Sequence, residues 1–186
     1  ILVSIICTTF NHEKYIEDAI KSFLMQVTDF KYELIIHDDA STDSTPSIIR
    51  KYVEKYPAII HPIIQEENQY SKGINILESY ELPVANGKYI AFCEGDDYWT
   101  DPEKLQKQVN VLEKHPECDI CAHSADVVSA EDKFVLRKIN PSETNTIFDV
   151  EEVILGDGGF VATNSLMIRR KLFDSIPQFR KVYRID

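Results

Sequence analysis

The stretch Gly87-Lys88-Tyr89-Ile90-Ala91-Phe92-Cys93-Glu94-Gly95-Asp96-Asp97 drives an apolar run straight into a cluster of carboxylates. Lys88–Cys93 reads as a short strand. Its residues are apolar in succession rather than alternating, the pattern of a strand covered on both faces. The same arrangement occurs twice upstream. Leu2–Cys7 runs into Thr8-Thr9-Phe10-Asn11, and Glu33–His37 runs into Asp38-Asp39-Ala40-Ser41-Thr42-Asp43. In open parallel sheets, ligands bind beyond the carboxyl ends of the strands. Polar clusters at these strand ends would converge on one crevice, and surface solubility explains that placement poorly.

The segments between the strands have helical periodicity. Ile16, Ala19, Ile20, Phe23, Leu24 and Val27 recur at steps of three and four, one apolar face of a helix. Thr45-Pro46 reads as a helix opening, a capping hydroxyl before a proline in the first turn. Ile48, Ile49, Tyr52, Val53 and Tyr56 continue that helix, and Pro57 follows its end. Ile59–Ile64 is a further strand, and Ile74–Ala85 a helix disturbed at Pro83. Thr100-Asp101-Pro102-Glu103 has the form of a capping box ahead of a helix lined by Leu105, Val109, Val111 and Leu112. Strand and helix alternating at this spacing predict a mostly parallel sheet with crossover helices, an α/β/α three-layer fold. From Asp119 onward the pattern loosens. Asp119–Val128 and Phe134–Ile139 read as strands, the second of antiparallel kind, Asp149–Leu155 as a short helix, and Asn164–Ile168 as a strand. Gly156-Asp157-Gly158-Gly159 is either a loop over a site or an ordinary surface loop.

The chain has 186 residues, the size of one domain. Its 44% hydrophobic and 27% charged residues exclude a disordered chain. The net charge of −11 is the wrong sign for a protein that coats nucleic acid. It suits a cation-using acidic site or simply a solvated surface. The longest apolar stretch, around Ile1–Cys7, has about six residues where roughly 20 span a bilayer, so no transmembrane segment is expected. No basic segment followed by an apolar stretch marks a secretory signal. A start at Ile1 inside a strand suggests a piece of a longer protein. Cys118 and Cys121 form a lone CxxC without the second pair that a structural zinc site needs, so reduced thiols are expected.

Clustered carboxylates such as Glu94, Asp96 and Asp97 raise one another's pKa unless a cation sits among them. An oxygen-rich site suits Mn²⁺ or Mg²⁺, which take part of their shell from substrate phosphates. Gly95 would let a nucleotide approach the backbone closely. A carboxylate of Asp38-Asp39 can accept from a ring N–H such as N3 of uracil. The same segment also suits a turn that caps the following helix, and the two roles are compatible. Tyr98-Trp99 either stacks on a sugar or packs the next helix on the sheet. Other readings remain. A receiver-like phosphoacceptor domain would want its acidic pair after the first strand, where Thr8-Thr9-Phe10-Asn11 stands instead. A sugar nucleotidyltransferase would want a Gly-rich basic loop there. A nucleotide-sugar binding module without turnover keeps the fold and drops the chemistry.

Three blocks resemble family 2 glycosyltransferases with the GT-A fold. Val3-Ser4-Ile5-Ile6-Cys7-Thr8-Thr9-Phe10-Asn11 resembles their opening. Ile35-Ile36-His37-Asp38-Asp39-Ala40-Ser41-Thr42-Asp43 is similar to their second block, with Ala40 where glycine is usual. Gly87–Asp97 resembles the third, which carries a metal-binding Asp-x-Asp signature, with Glu94 in the place of the first Asp. The order and spacing of the blocks match over about residues 1–115. The resemblance implies metal-dependent, inverting transfer of a sugar from a nucleotide donor, usually UDP-linked, to a saccharide or lipid-linked saccharide, in bacterial cell-surface polysaccharide biosynthesis. It implies Thr8, Thr9 and Phe10 at the base and ribose, Asp39 on the base with Asp38 beside it, and Asp96 with Asp97 at the metal. Lys72 would meet the diphosphate or lie solvated. Tyr183-Arg184-Ile185-Asp186 resembles the segment that carries the general base, making Asp186 the candidate and Asp157 the second choice. The resemblance implies a donor-binding half over 1–115 and an acceptor-side half over 116–186; Thr163-Asn164-Ser165 either faces the acceptor or is part of a surface loop leading into an ordinary strand. It also implies a cytoplasmic site of action, with peripheral membrane contact.

Overall fold

The computed structural model describes residues 1–156 and 159–174. A six-stranded sheet runs in the order β3-β2-β1-β4-β8-β5. Its strands are β1 (Val3–Thr9), β2 (Tyr32–Asp38), β3 (Ile60–Ile64), β4 (Tyr89–Phe92), β5 (Ile120–Cys121) and β8 (Met167–Arg169). β1 pairs in parallel with β2 and β4, and β2 with β3. β8 pairs antiparallel with both β4 and β5. β6 (Ala125–Val128) and β7 (Val135–Ile139) form a separate antiparallel hairpin. The expected strand over Asp119–Val128 is therefore two strands in two sheets. The expected strand over Asn164–Ile168 begins as a 3₁₀ turn, Thr163–Ser165, and joins the sheet only at Met167.

The layers are unequal. The helices α1 (Ile16–Leu24), α2 (Thr45–Lys55) and α3 (Lys104–Lys114) share one core with one face of the sheet. Ile16, Ile20 and Phe23 from α1, Ile49 from α2, and Leu105 and Leu112 from α3 meet Ile5, Cys7, Leu34, Ile36 and Ala91 there. On the other face, Ile6, Ile35 and Ile90 are covered by Leu77, Leu82, Ala85 and Phe173. The segment expected as a helix over 74–85 supplies this cover as a π-helical turn, Leu77–Glu81. A short fourth helix, α4 (Val150–Leu155), lies outside these layers. Among the described residues no helix is long and apolar enough to cross a membrane.

Trp99 settles its two expected roles in favour of packing. It is buried, with its ring 4.9 Å from that of Phe23. Its Nε1 donates to the Asn164 carbonyl at 2.8 Å, and Lys104 Nζ lies 3.8 Å from its ring centre. Tyr98 is covered by Lys133 Nζ at 4.7 Å. Both capping expectations shift by one or two residues. Thr45 lies inside α2, and Asp43 Oδ1 accepts from its amide at 2.9 Å. Ahead of α3, Asp101 Oδ1 rather than Thr100 accepts from the Glu103 amide. All four cysteines are free thiols, with Cys7 and Cys93 buried.

Candidate functional site

The strand order puts a switch point between β1 and β4. The chain leaves β1 toward β2 on one side, crosses the sheet after β3, and returns as β4 on the other side of β1. Loops leaving the carboxyl ends of neighbouring strands diverge at such a point, and a crevice opens between them. A cleft of about 280 Å³ lies there, lined by Thr8, Thr9, Phe10, His12, Asp39, Asn68, Tyr70, Ile76, Glu94 and Asp96. The ends of β1, β2 and β4 thus meet as the sequence predicts. Asn68, Tyr70 and Ile76 come from the loop after β3, which carried only Lys72 as a sequence candidate.

The loops after β1 and β2 are clipped to one another. Asn11 Oδ1 accepts from the Thr42 amide at 2.8 Å, and the Asn11 amide donates to Ser41 Oγ at 2.8 Å. The Glu13 amide donates to Asp43 Oδ2, and the Ser44 amide to Glu13 Oε2. Asn11 has φ +55°, a left-handed conformation that asparagine tolerates. Ala40 has φ +62°, which explains why glycine is usual at that point of the second block.

The two aspartates after β2 are both buried but face different tasks. Asp38 closes its own turn, accepting from the Ser41 amide at 3.1 Å and the Ser41 hydroxyl at 2.5 Å. Asp39 reaches the cleft and also organises it. Its oxygens accept from the amides of Gln69 at 2.7 Å and Tyr70 at 3.0 Å, holding the 3₁₀ turn Tyr70–Lys72 against the site. Each carboxylate oxygen keeps a second lone-pair direction. Lys72 sits on that turn and pairs with Glu67, so it is engaged away from the cleft lining.

The β4 loop brings the acidic group. Gly95 donates its amide to the Thr8 carbonyl at 2.9 Å. A Cβ on Gly95 would lie 2.5 Å from Thr9 Oγ1 and 3.0 Å from His12 Nδ1. The close approach that Gly95 allows is therefore between two protein loops. Burial, with the charge of Asp96 next, pushes the Glu94 carboxyl up from its ordinary value. Burial, then Asp96 and Glu94, pushes Asp97 up to about 6, against a hydrogen bond with Asn164. Asp96 is half exposed, and its Oδ1 lies 3.8 Å from His12 Nδ1. Thr9 Oγ1 and His12 Nδ1 are buried without a hydrogen-bond partner. Among the described residues no three His, Cys, Asp or Glu side chains are grouped so that they could hold a metal ion by themselves. A crowded acidic loop with one exposed carboxylate and orphaned polar atoms beside it fits a divalent ion that shares its shell with a bound diphosphate.

A residue buried behind the cleft also escaped the sequence reading. Glu81, on the π-helical turn, is 1% exposed, and its Oε1 accepts from the Thr8 hydroxyl at 2.6 Å. Burial pushes its carboxyl up to about 7 against that hydrogen bond. Asp186 and Asp157, the two base candidates, lie outside the described residues.

Comparison with known proteins agrees with this architecture. The model of "Glycosyl transferase family 2" matches residues 4–176. An Escherichia coli relative, the UDP-Glc:alpha-D-GlcNAc-diphosphoundecaprenol beta-1,3-glucosyltransferase WfaP, is 38% identical over 60% of this chain and 41% of its own. Staphylococcus aureus TarS 1–349 in complex with UDP-GlcNAc superposes with a TM-score of 0.69 at 24% identity, over 95% of this chain and 48% of that one. The mannosyltransferase PcManGT of Pyrobaculum calidifontis, solved with GDP-Man and Mn²⁺, gives 0.66 at 19% identity, over 94% and 46%. The chain spans about half the length of the curated relatives it matches. With a family model covering nearly all of it, and the mostly parallel sheet and its switch-point cleft in place, the chain belongs to glycosyl transferase family 2.

Proposed function

We propose that the cleft binds a nucleotide-sugar donor, UDP-linked, together with Mn²⁺ or Mg²⁺, and that the whole protein transfers the sugar with inversion to a saccharide or lipid-linked saccharide. The observation that carries this reading is the convergence of Thr8, Phe10, Asp39, Glu94 and Asp96 on one cleft at the switch point. TarS with UDP-GlcNAc and PcManGT with GDP-Man and Mn²⁺ support a nucleotide-sugar donor and a divalent ion. WfaP supports a UDP donor and a lipid-linked acceptor.

In this reading Asp39 accepts from the base N–H, with Thr8, Thr9 and Phe10 along the base and ribose. Asp96 holds the metal, with Asp97 and Glu94 beside it. The bound ion would neutralise charge developing on the leaving diphosphate. An acceptor hydroxyl attacks the anomeric carbon, the bond from that carbon to the phosphate oxygen breaks, and the hydroxyl proton passes to a carboxylate base. Asp186 is the proposed base and Asp157 the second candidate. Residues 1–115 form the donor half and 116–186 the acceptor side. The setting proposed is the cytoplasmic face of the membrane.

Calorimetric titration with UDP and Mn²⁺ tests the reading. Binding that needs the metal and is lost in Asp96→Ala is expected. No UDP binding with or without metal would remove the UDP claim, and GDP and dTDP would be tried next. Binding without turnover of any donor–acceptor pair would favour a binding module.

A further inference from the structure

The sheet face opposite α1, α2 and α3 carries Thr8 at its carboxyl end, beneath the π-helical turn Leu77–Glu81. Thr8 is half-buried and lines the cleft, while Glu81 is buried behind it. A threonine hydroxyl has one proton and two lone pairs. Here the proton points to Glu81 Oε1 at 2.6 Å, so only the lone pairs remain for the cleft. The turn that presents Glu81 is itself irregular, and π-helical turns recur at functional sites. Burial also pushes the Glu81 carboxyl up to about 7, so the carboxylate is kept at a cost to the fold.

We propose that Glu81 is a positioning residue of the donor cleft: it holds the Thr8 hydroxyl as a hydrogen-bond acceptor and so selects ligands that turn an N–H or O–H donor toward it. This rests on the donor-site reading given above. On a uridine nucleotide the single ring N–H is already given to Asp39 in that reading, so the donor left for Thr8 is a ribose hydroxyl. Glu81 touches Thr8 and not the reacting atoms, so its effect is on recognition.

The test is calorimetry with Mn²⁺ at pH 8.5, where the carboxyl is ionised, using UDP, CDP and 2′-deoxy-UDP. The proteins are the wild type, Glu81→Leu, Thr8→Val and the double variant, each checked for a cooperative thermal transition. Glu81→Gln, which keeps an acceptor oxygen and the shape, is included in case leucine disturbs the turn. The wild type should prefer UDP over 2′-deoxy-UDP by about tenfold or more, the scale of one mismatched buried hydrogen bond. Glu81→Leu and Thr8→Val should each compress that ratio to within about threefold, the double variant should add nothing further, and Glu81→Gln should retain part of the preference. The UDP-to-CDP ratio, which reports the base N–H on Asp39, should stay as in the wild type; compression of that ratio in place of the 2′-deoxy-UDP ratio would overturn the proposal. Affinity for all three ligands falling equally in Glu81→Leu, or a 2′-deoxy-UDP ratio unchanged from the wild type, would overturn the proposal alone. A wild type that binds none of the three would overturn the donor-site reading and this proposal with it.

Discussion

The two ends of the parallel strands each bury a glutamate, and treat it in opposite ways. At the amino end, Glu33 accepts from the Ser4 hydroxyl at 2.6 Å, the Asn86 amide at 2.6 Å and the Asn86 side chain at 3.2 Å, with His61 Nε2 at 3.7 Å. Burial pushes its carboxyl up, but these bonds together hold it below the ordinary value. At the carboxyl end, Glu81 has the Thr8 hydroxyl, and burial wins. Thr9 Oγ1, His12 Nδ1 and His37 Nδ1 are likewise buried without partners near that end. Both carboxylates are shielded from solvent, but Glu81 lies deeper in the protein than Glu33 and has fewer partners there. A fully bonded carboxylate stitches β1, β2 and the approach to β4 together, whereas under-bonded groups leave capacity for a ligand.

The largest effect should come from breaking the satisfied end. Glu33→Leu leaves the Ser4 hydroxyl and Asn86 amide without their acceptor, at roughly 3 kcal/mol. Melting should fall by about 6–12 °C, with nucleotide affinity of the folded protein unchanged. An affinity loss with normal melting would break the contrast.

The under-bonded end should show the reverse response to pH. For Glu81 the carboxyl rises from 4.5 in the unfolded chain to about 7 in the folded one. The folded state therefore binds the proton more tightly, and stability is lost as pH rises from 4.5 to 7. The full penalty, about 3 kcal/mol, applies above that range and vanishes below it. Urea unfolding of Glu81→Gln should show about 2 kcal/mol more stability than wild type at pH 8 and little difference at pH 4.5. Equal differences at both pH values would sink this account of Glu81.

Smaller effects should appear in the loops that shape the cleft. Asn11→Ala removes the acceptor for Thr42 and puts alanine at φ +55°, costing about 1–2 kcal/mol and weakening UDP binding. Ala40→Gly relieves φ +62° and should raise stability by about 0.5–1 kcal/mol, read as a small rise in melting temperature with UDP affinity unchanged. A destabilised Ala40→Gly would mean that the gain in unfolded-chain freedom outweighs the relief.

The parts of this arrangement that depend on neighbours in sequence were legible there. Apolar runs gave β1 to β4, the steps of three and four gave α1 to α3, and the polar strand ends gave Thr8, Phe10, Asp39, Glu94 and Asp96. What depends on tertiary contact was not. Glu81 sits in Leu-Glu-Ser-Tyr-Glu, which reads only as part of a helix over 74–85 disturbed at Pro83. Lys104, which the local pattern does not single out, is buried over Trp99, and burial lowers its amine to about 7. Gly95 carried the right requirement for the wrong neighbour, since Thr9 and His12 occupy the space beside it. The split of 119–128 between two sheets likewise follows from pairing with β8 and β7, partners that local pattern does not name.

The central claim is that the carboxyl end of the sheet, and not the amino end, receives nucleotide and metal. Anomalous scattering from a crystal grown with UDP and Mn²⁺ tests it most directly. The account predicts one manganese peak beside Asp96, with the base near Asp39 and Thr8. Nucleotide and ion seated instead in the amino-end cavity of about 390 Å³, among Lys88, Arg169, Arg170 and Lys171, would contradict it.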